Sequence, residues 1–359
     1  MNATPSAAQP RRTTRAVHLG AVQVGAGAPI TVQSMTKTDT RDVAATVSEI
    51  QRLARLGCEI IRLAVPDEQA AAALGPIVRE SPIPVVADIH FDHTLALRAL
   101  AEGVHALRLN PGNIRDADRV RDVARAAAER HVPIRVGVNA GSLDPALKAR
   151  HGGVTAAALA ESALHEVRLL EDAGCHDIKI AVKAFDLPMT LEANRLVAAA
   201  CDYPLHLGIT ESGVPAQGIV RSAAGIGAML LAGLGDTIRV SLTGDSADEV
   251  AVGRRILAAV GARTYGPVIV SCPTCGRCQV PLVRMAEEVH RRLAHITEPL
   301  RIAVMGCAVN GPGEAREADF GIAGGKEHGL IFRRGQVIKT LPADQLVDAL
   351  VKEIESAHQ

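Results

Sequence analysis

The chain has 359 residues, 48% of them hydrophobic and 2% aromatic, and its 39 basic residues balance 39 acidic ones. A chain of this length and apolar content builds a core without disulfides, so its seven cysteines are expected to be reduced. Zero formal charge gives no long-range field for nucleic acid or anionic lipid, the lack of Trp removes stacking platforms for single strands, and no stretch of about eighteen apolar residues is present to span a membrane.

Residues 1–16 hold Arg11, Arg12 and Arg15 with no apolar run behind them. Neither a Sec nor a twin-arginine signal is supported, and a disordered tail on a cytoplasmic protein is expected. From residue 31 to about 260 a short β-branched run alternates with a longer stretch of helical period. The strand runs are Ile30–Met35, Glu59–Val65, Pro84–Ile89, His105–Leu109, Ile134–Val138, Asp177–Val182, Leu205–Ile209 and Thr237–Leu242. Helix candidates follow, among them Val43–Leu56, Asp116–Glu129, Ala156–Asp172 and Ala247–Ala259. Gly57, Gly103, Gly174 and Gly235 fall where a left-handed C-cap is usual. The pattern predicts an α/β fold, a (β/α)8 TIM-type barrel over residues 17–264. A doubly wound sheet is the alternative, but no Gly-x-Gly-x-x-Gly turn follows the first strand.

Strand residues of one parity face the barrel interior. Arg108 and Asn110 oppose Leu107 and Leu109, Arg135 and Asn139 oppose Ile134, Val136 and Val138, and Lys179 and Lys183 oppose Ile178, Ile180 and Val182. Arg239 opposes Ile238 and Val240, and Arg62 lies in the second strand. Six cations are therefore expected inside the barrel, against the candidate carboxylates Asp88 and Glu211. Unpaired buried charges cost several kcal/mol each, so this surplus calls for a polyanionic ligand such as a diphosphate at the mouth. For Arg135 and Lys179, near the strand starts, neutralisation of helix ends or solvent-facing acids is an equal alternative. His90, just after Asp88, fits a base, an anion donor or a structural histidine.

The grammar changes near Arg263–Pro267, and residues 265–359 read as a small α+β domain. Its strand candidates are Val268–Ser271, Arg301–Met305, Phe320–Ala323 and Leu330–Phe332, with helices over Leu282–Ala294 and Ala343–Ser356. Cys272, Cys275 and Cys278 stand two residues apart, and Cys307 follows in a Gly-Cys-Ala-Val-Asn-Gly-Pro-Gly-Glu run ending at Glu314. Thiolates on such turns hold either an iron–sulfur cluster or a structural zinc. Zinc would make the protein a phosphate-binding barrel enzyme with a zinc-stabilised interaction module. The spacing differs from the Cys-x-x-x-Cys-x-x-Cys of adenosylmethionine radical enzymes.

Seven segments together carry a resemblance. They begin at Val32, Leu107, Arg135, Gly208, Asp236, Ser271 and Gly306 and run to Arg41, Asn113, Ser142, Glu211, Leu242, Cys275 and Glu314. On these the chain resembles the 4-hydroxy-3-methylbut-2-enyl diphosphate synthase family of the methylerythritol phosphate route to isoprenoids, over nearly its whole length after the tail.

The resemblance implies that the C-terminal domain carries a 4Fe-4S cluster held by Cys272, Cys275, Cys307 and Glu314. Cys278 is then a spare thiol; many members carry another residue there, which leaves a four-thiolate site open. Glu314 is preferred because a carboxylate yields its position on iron more readily than a thiolate. Ala181 also departs from the Ser that relatives often carry. The implied substrate is 2-C-methyl-D-erythritol 2,4-cyclodiphosphate, reduced by single electrons from ferredoxin or flavodoxin. Arg62, Arg108, Arg135 and Lys183 would bind the diphosphate, Asn110 and Asn139 orient it, and Glu211 deliver a proton, with His90 a further candidate. A head-to-tail homodimer is implied as well.

Overall fold

A short aliphatic run followed by an Asp-capped helix is the unit that builds the first part of the chain. The computed structural model describes residues 9–90, 92–110, 116–307, 313 and 316–357. The chain divides into two units, residues 1–263 and 264–359.

In the first unit eight parallel strands form one sheet: β3 (Thr31–Met35), β4 (Ile60–Ala64), β5 (Val85–Asp88), β6 (Ala106–Leu109), β7 (Ile134–Asn139), β8 (Ile178–Lys183), β9 (His206–Leu207) and β10 (Thr237–Ile238). Their order is β8-β7-β6-β5-β4-β3-β10-β9. A bridge between Ile180 and Leu205, with the Ile180 N–H donating to the Pro204 carbonyl at 2.9 Å, joins the two ends into a barrel. The helices are α1 (Val43–Arg55), α2 (Glu68–Glu80), α3 (His93–Ala101), α4 (Ala117–Glu129), α5 (Pro145–Arg150), α6 (Ala156–Asp172), α7 (Leu187–Ala200), α8 (Pro215–Leu231) and α9 (Ser246–Ala259). Asp42, Asp67, Asp92, Asp116, Asp144, Asp186 and Asp245 each accept a backbone N–H at a helix start. Such a cap stabilises its helix by about 1 kcal/mol and fixes where the strand-to-helix loop ends. At the other end, Gly57 and Gly174 take φ of 95° and 82°, the left-handed turn that returns the chain to the next strand.

Two features depart from the sequence expectation. Residues 9–16 are not a free tail: Arg12 donates to the carbonyls of Ala198, Cys201 and Tyr203, and Arg11 pairs with Asp236 at 3.3 Å. Backbone acceptors left at the end of α7 draw in that guanidinium. Next, β1 (Val17–Leu19) and β2 (Val22–Val24) form an antiparallel hairpin that packs Val17, Leu19 and Val24 on Ile60, Val86 and Ala106. These last three stand at the starts of β4, β5 and β6, so the hairpin closes the N-terminal end of the barrel.

The second unit holds a five-stranded sheet: β11 (Val268–Ser271), β12 (Arg301–Met305), β13 (Phe320–Ala323), β14 (His328–Arg333) and β15 (Gln336–Pro342). The first three are parallel and the last two antiparallel. Leu282, Met285 and Val289 of α10 (Leu282–Arg292) and Leu346, Leu350 and Ile354 of α11 (Leu346–Ala357) cover Ile302, Val304, Ile322 and Ile331. The edge strand β15 escaped the sequence reading because nearly all of it is exposed and its polar residues break the alternation. Among the described residues no helix is long and apolar enough to cross a membrane.

Candidate active site

Parallel pairing puts partners on the same face, and the register brings the cations together. Asp88 pairs with Arg108, Arg108 with Arg135, Arg135 with Lys179, and Asn139 with Lys183. The opposite parity, Leu107, Leu109, Ile134, Val136, Val138, Ile178, Ile180 and Val182, is apolar and buried, as a layer against helices requires. Arg62, Arg108, Arg135, Lys179 and Lys183 are all buried, and the Arg239 side chain is 14% exposed. Arg135 and Lys179 make no ion pair with a solvent-facing acid among the described residues, one half of the alternative that their position near the strand starts allowed.

Asp88 is the central carboxylate. It accepts from Arg108 Nη1 at 3.1 Å and lies 3.4 Å from Arg62 Nε and 3.3 Å from His90 Nε2. Burial pushes its carboxyl up, but Arg62, His90 and Arg108 together hold it below the usual carboxylate range. Arg108 also donates from Nη2 to the Gly137 carbonyl at 3.1 Å, and Arg62 donates to Met35 Sδ at 3.0 Å.

Toward the C-terminal ends of β6 and β7, Asn110 Nδ2 donates to Ser142 Oγ at 3.0 Å, and Ser142 Oγ donates to the Asn139 carbonyl at 3.3 Å. The two asparagines are thus joined through a serine that the sequence reading left without a role. Lys183 lies against Gly208, where a Cβ would come within 2.7 Å of its Nζ. Glu211 is exposed beyond β9 with φ of 56°, a left-handed backbone uncommon outside glycine. Far from being an interior carboxylate, it stands in solvent. A further buried acid that meets one of these cations is Glu249 of α9, 3.6 Å from Arg239 and accepting from the Leu242 N–H at 3.0 Å and Ser34 Oγ at 3.2 Å. It lies in the first turn of the Asp-capped helix α9, and no pattern in the sequence marks this contact with the strand.

Arg135, Lys179 and Lys183 make no ion pair among the described residues. Nε and Nη2 of Arg135 and Nζ of Lys179 are buried without a hydrogen-bond partner, as are Nε of Arg108 and Nε of Arg239. Burial, then Arg135, pushes Lys179 down to about 7, and burial with Arg135 and Arg239 pushes Lys183 well down. Burial and Lys183 likewise keep His206 neutral, and burial and Arg62 bring Arg239 to about 10. The charged forms are all penalised here, which marks a barrel interior short of negative charge.

In the second unit β11 and β12 run parallel with Ser271 beside Val304, so Cys272 and the Gly306–Cys307 segment leave the sheet at the same end. The Gly306 N–H donates to Cys272 Sγ at 3.3 Å, and the Gln279 N–H to the Gly306 carbonyl at 2.9 Å. Cys275 is exposed and Cys307 buried. Cys278 Sγ is directed to the Val280 carbonyl at 3.2 Å. Among the described residues no three acidic, His or Cys side chains already converge on one point, and Glu314 lies outside those residues.

Comparison with known proteins gives the frame for these two constellations. Residues 14–254 match the GcpE TIM-barrel domain and residues 268–356 the GcpE protein C-terminal domain. A 4-hydroxy-3-methylbut-2-en-1-yl diphosphate synthase (flavodoxin) of Geobacter sulfurreducens is 57% identical over 342 residues, covering 95% of this chain and 97% of that protein. One of Salinispora tropica is 53% identical over 350 residues, covering 97% and 90%. Among solved structures, a dihydropteroate synthetase aligns with a TM-score of 0.50 at 13% identity over 70% of this chain and all of that one, a likeness of barrel fold alone. The chain belongs to the GcpE family, whose curated members are 4-hydroxy-3-methylbut-2-en-1-yl diphosphate synthases.

Proposed function

We propose that the chain converts 2-C-methyl-D-erythritol 2,4-cyclodiphosphate to 4-hydroxy-3-methylbut-2-enyl diphosphate, the activity for which its relatives are named, with flavodoxin or ferredoxin as electron donor. The observation that carries this reading is the buried surplus of cations: six on strands β4, β6, β7, β8 and the β10 segment, with Asp88 and Glu249 as the paired carboxylates. A dianionic diphosphate supplies what that cluster lacks.

Arg62, Arg108, Arg135 and Lys183 hold the diphosphate, and Arg62 and Arg108 are already aimed by Asp88. Asn110 and Asn139, coupled through Ser142, orient the carbon skeleton. Two electrons and one proton open the ring: the bond from carbon to phosphate oxygen breaks, a double bond forms, and the C3 hydroxyl leaves as water. Glu211 at the rim delivers that proton, with His90 on Asp88 as a further donor.

The donor set in the second unit fits an iron–sulfur centre. Thiolates on adjacent parallel strand ends, one already accepting an N–H, match the hydrogen-bonded sulfurs that such clusters require. Cys272, Cys275, Cys307 and Glu314 would hold a 4Fe-4S cluster, which supplies single electrons and a Lewis-acidic iron. A homodimer in which one chain's cations serve the other chain's cluster belongs to the same reading.

Iron analysis tests it against a structural zinc. Anaerobically purified protein is expected to carry about four irons and four sulfides per chain and to open the cyclic diphosphate with a low-potential reductant. One colourless zinc per chain with no turnover refutes it.

A further inference from the structure

Beside the arginines that face Asp88 lie further buried polar groups that no step of the reaction uses. Lys179 pairs in register with Arg135, Thr237 with both Thr31 and His206, and His206 Nδ1 lies 2.6 Å from Thr237 Oγ1. All of these are buried, as is Gln33 on the inward face of β3. Lys179 Nζ, His206 Nε2, Thr31 Oγ1 and both polar ends of Gln33 have no partner. The groups facing Lys179 are Arg135 from β7, His206 from β9 and Asp236 from the turn before β10, the last already engaged by Arg11, Thr14 and the Leu205 N–H.

We infer that Lys179 is a buried proton acceptor that matches the charge of the barrel to its ligand, so that a polyanion binds together with a proton. The arginines cannot shed charge, so the ligand-free barrel interior relieves its surplus by leaving the Lys179 amine neutral. A dianion arriving among Arg62, Arg108 and Arg135 reverses the balance, and Lys179 becomes an ammonium. This rests on reading the barrel cations as the diphosphate site.

The sign follows from the position of Lys179, brought to about 7 in the free protein. Below that pH the amine is already protonated and binding takes up little; above it, binding draws in a proton and weakens as pH rises. Each phosphorus of the cyclic diphosphate bears a single strongly acidic oxygen, so the ligand exchanges no proton in this range. Lys183, pushed down by the same burial, adds its own proton, and a difference between variants removes it.

The test is calorimetric titration of the anaerobic holoenzyme, without reductant, with 2-C-methyl-D-erythritol 2,4-cyclodiphosphate in buffers of different ionisation enthalpy. At about pH 8 the native protein is expected to take up about one proton more than Lys179→Arg, whose charge is permanent, and the excess should vanish near pH 6. Native affinity is expected to fall about tenfold between those pH values, while that of Lys179→Arg falls less. Lys179→Met, which also cannot titrate, must show the same missing proton and serves if the arginine does not fit. Equal uptake by native and variant proteins, with binding intact, overturns the role of Lys179. Failure of the native protein to bind the ligand overturns the diphosphate site itself.

Discussion

Arg108 lies across Gly137: its Nη2 donates to the glycine carbonyl at 3.1 Å, and a Cβ placed on Gly137 would stand 2.5 Å from its Nε. The missing side chain on β7 is what lets a guanidinium from β6 lie flat inside the barrel and still reach Asp88. Gly137→Ala should therefore act as a displaced Arg108, raising KM and lowering kcat/KM by about a hundredfold while the fold survives. Steady-state kinetics beside a thermal melt check this, and near-native kcat/KM would show that Arg108 does not need its present seat.

Asp88→Asn removes the carboxylate shared by Arg62, Arg108 and His90. Leaving two buried guanidinium groups without it should destabilise the barrel by about 3 kcal/mol. Because Asp88 is held below the usual carboxylate range, its contribution is fully present above the unfolded carboxyl value near 4 and disappears only as pH falls through the lower folded value. Denaturation curves should thus show a native–variant gap that is constant from about pH 5 to 8 and closes in strong acid.

Glu211 sits at φ 56° in solvent, a backbone conformation a glycine would hold without strain. If it delivers the proton, Glu211→Gln should lower kcat by about a hundredfold or more with KM little moved, since the amide keeps the size of the side chain but has no acidic proton. An unchanged kcat would pass the proton role to His90.

In the second unit Cys278 Sγ occupies the notch left by Gly306, 2.6 Å from where a Cβ would stand. Cys278→Ser is expected to keep its iron and its electron paramagnetic signal, because its thiol is turned to the Val280 carbonyl. Gly306→Ala should instead lose iron by displacing the N–H that donates to Cys272 Sγ, and adding Cys278→Ala should restore part of it. Iron loss in Cys278→Ser alone would make Cys278 the fourth ligand in place of Glu314.

Strand parity made the barrel interior legible, since Arg108, Arg135, Lys179 and Lys183 each interrupt an alternation whose other face is wholly apolar. The charge surplus was visible for the same reason. Other features depend on distance along the chain and leave no local mark. Glu249 reaches Arg239 from a helix, and Ser142 links Asn110 to Asn139 from a turn. The three-residue strands Val17–Leu19 and Val22–Val24 are too short for periodicity to register. The pairing of Arg11 with Asp236 needs the tertiary fold to exist before it can be seen.

The central claim is that the buried cations hold a cyclic diphosphate for a reduction driven from the cysteine loops. Anaerobic turnover of reconstituted Arg108→Met, followed by phosphorus NMR of the cyclic diphosphate and by the paramagnetic spectrum of the reduced protein, tests it most directly. The account predicts an unaltered cluster signal with conversion to the linear diphosphate reduced by about a thousandfold. Native turnover by that variant would contradict it.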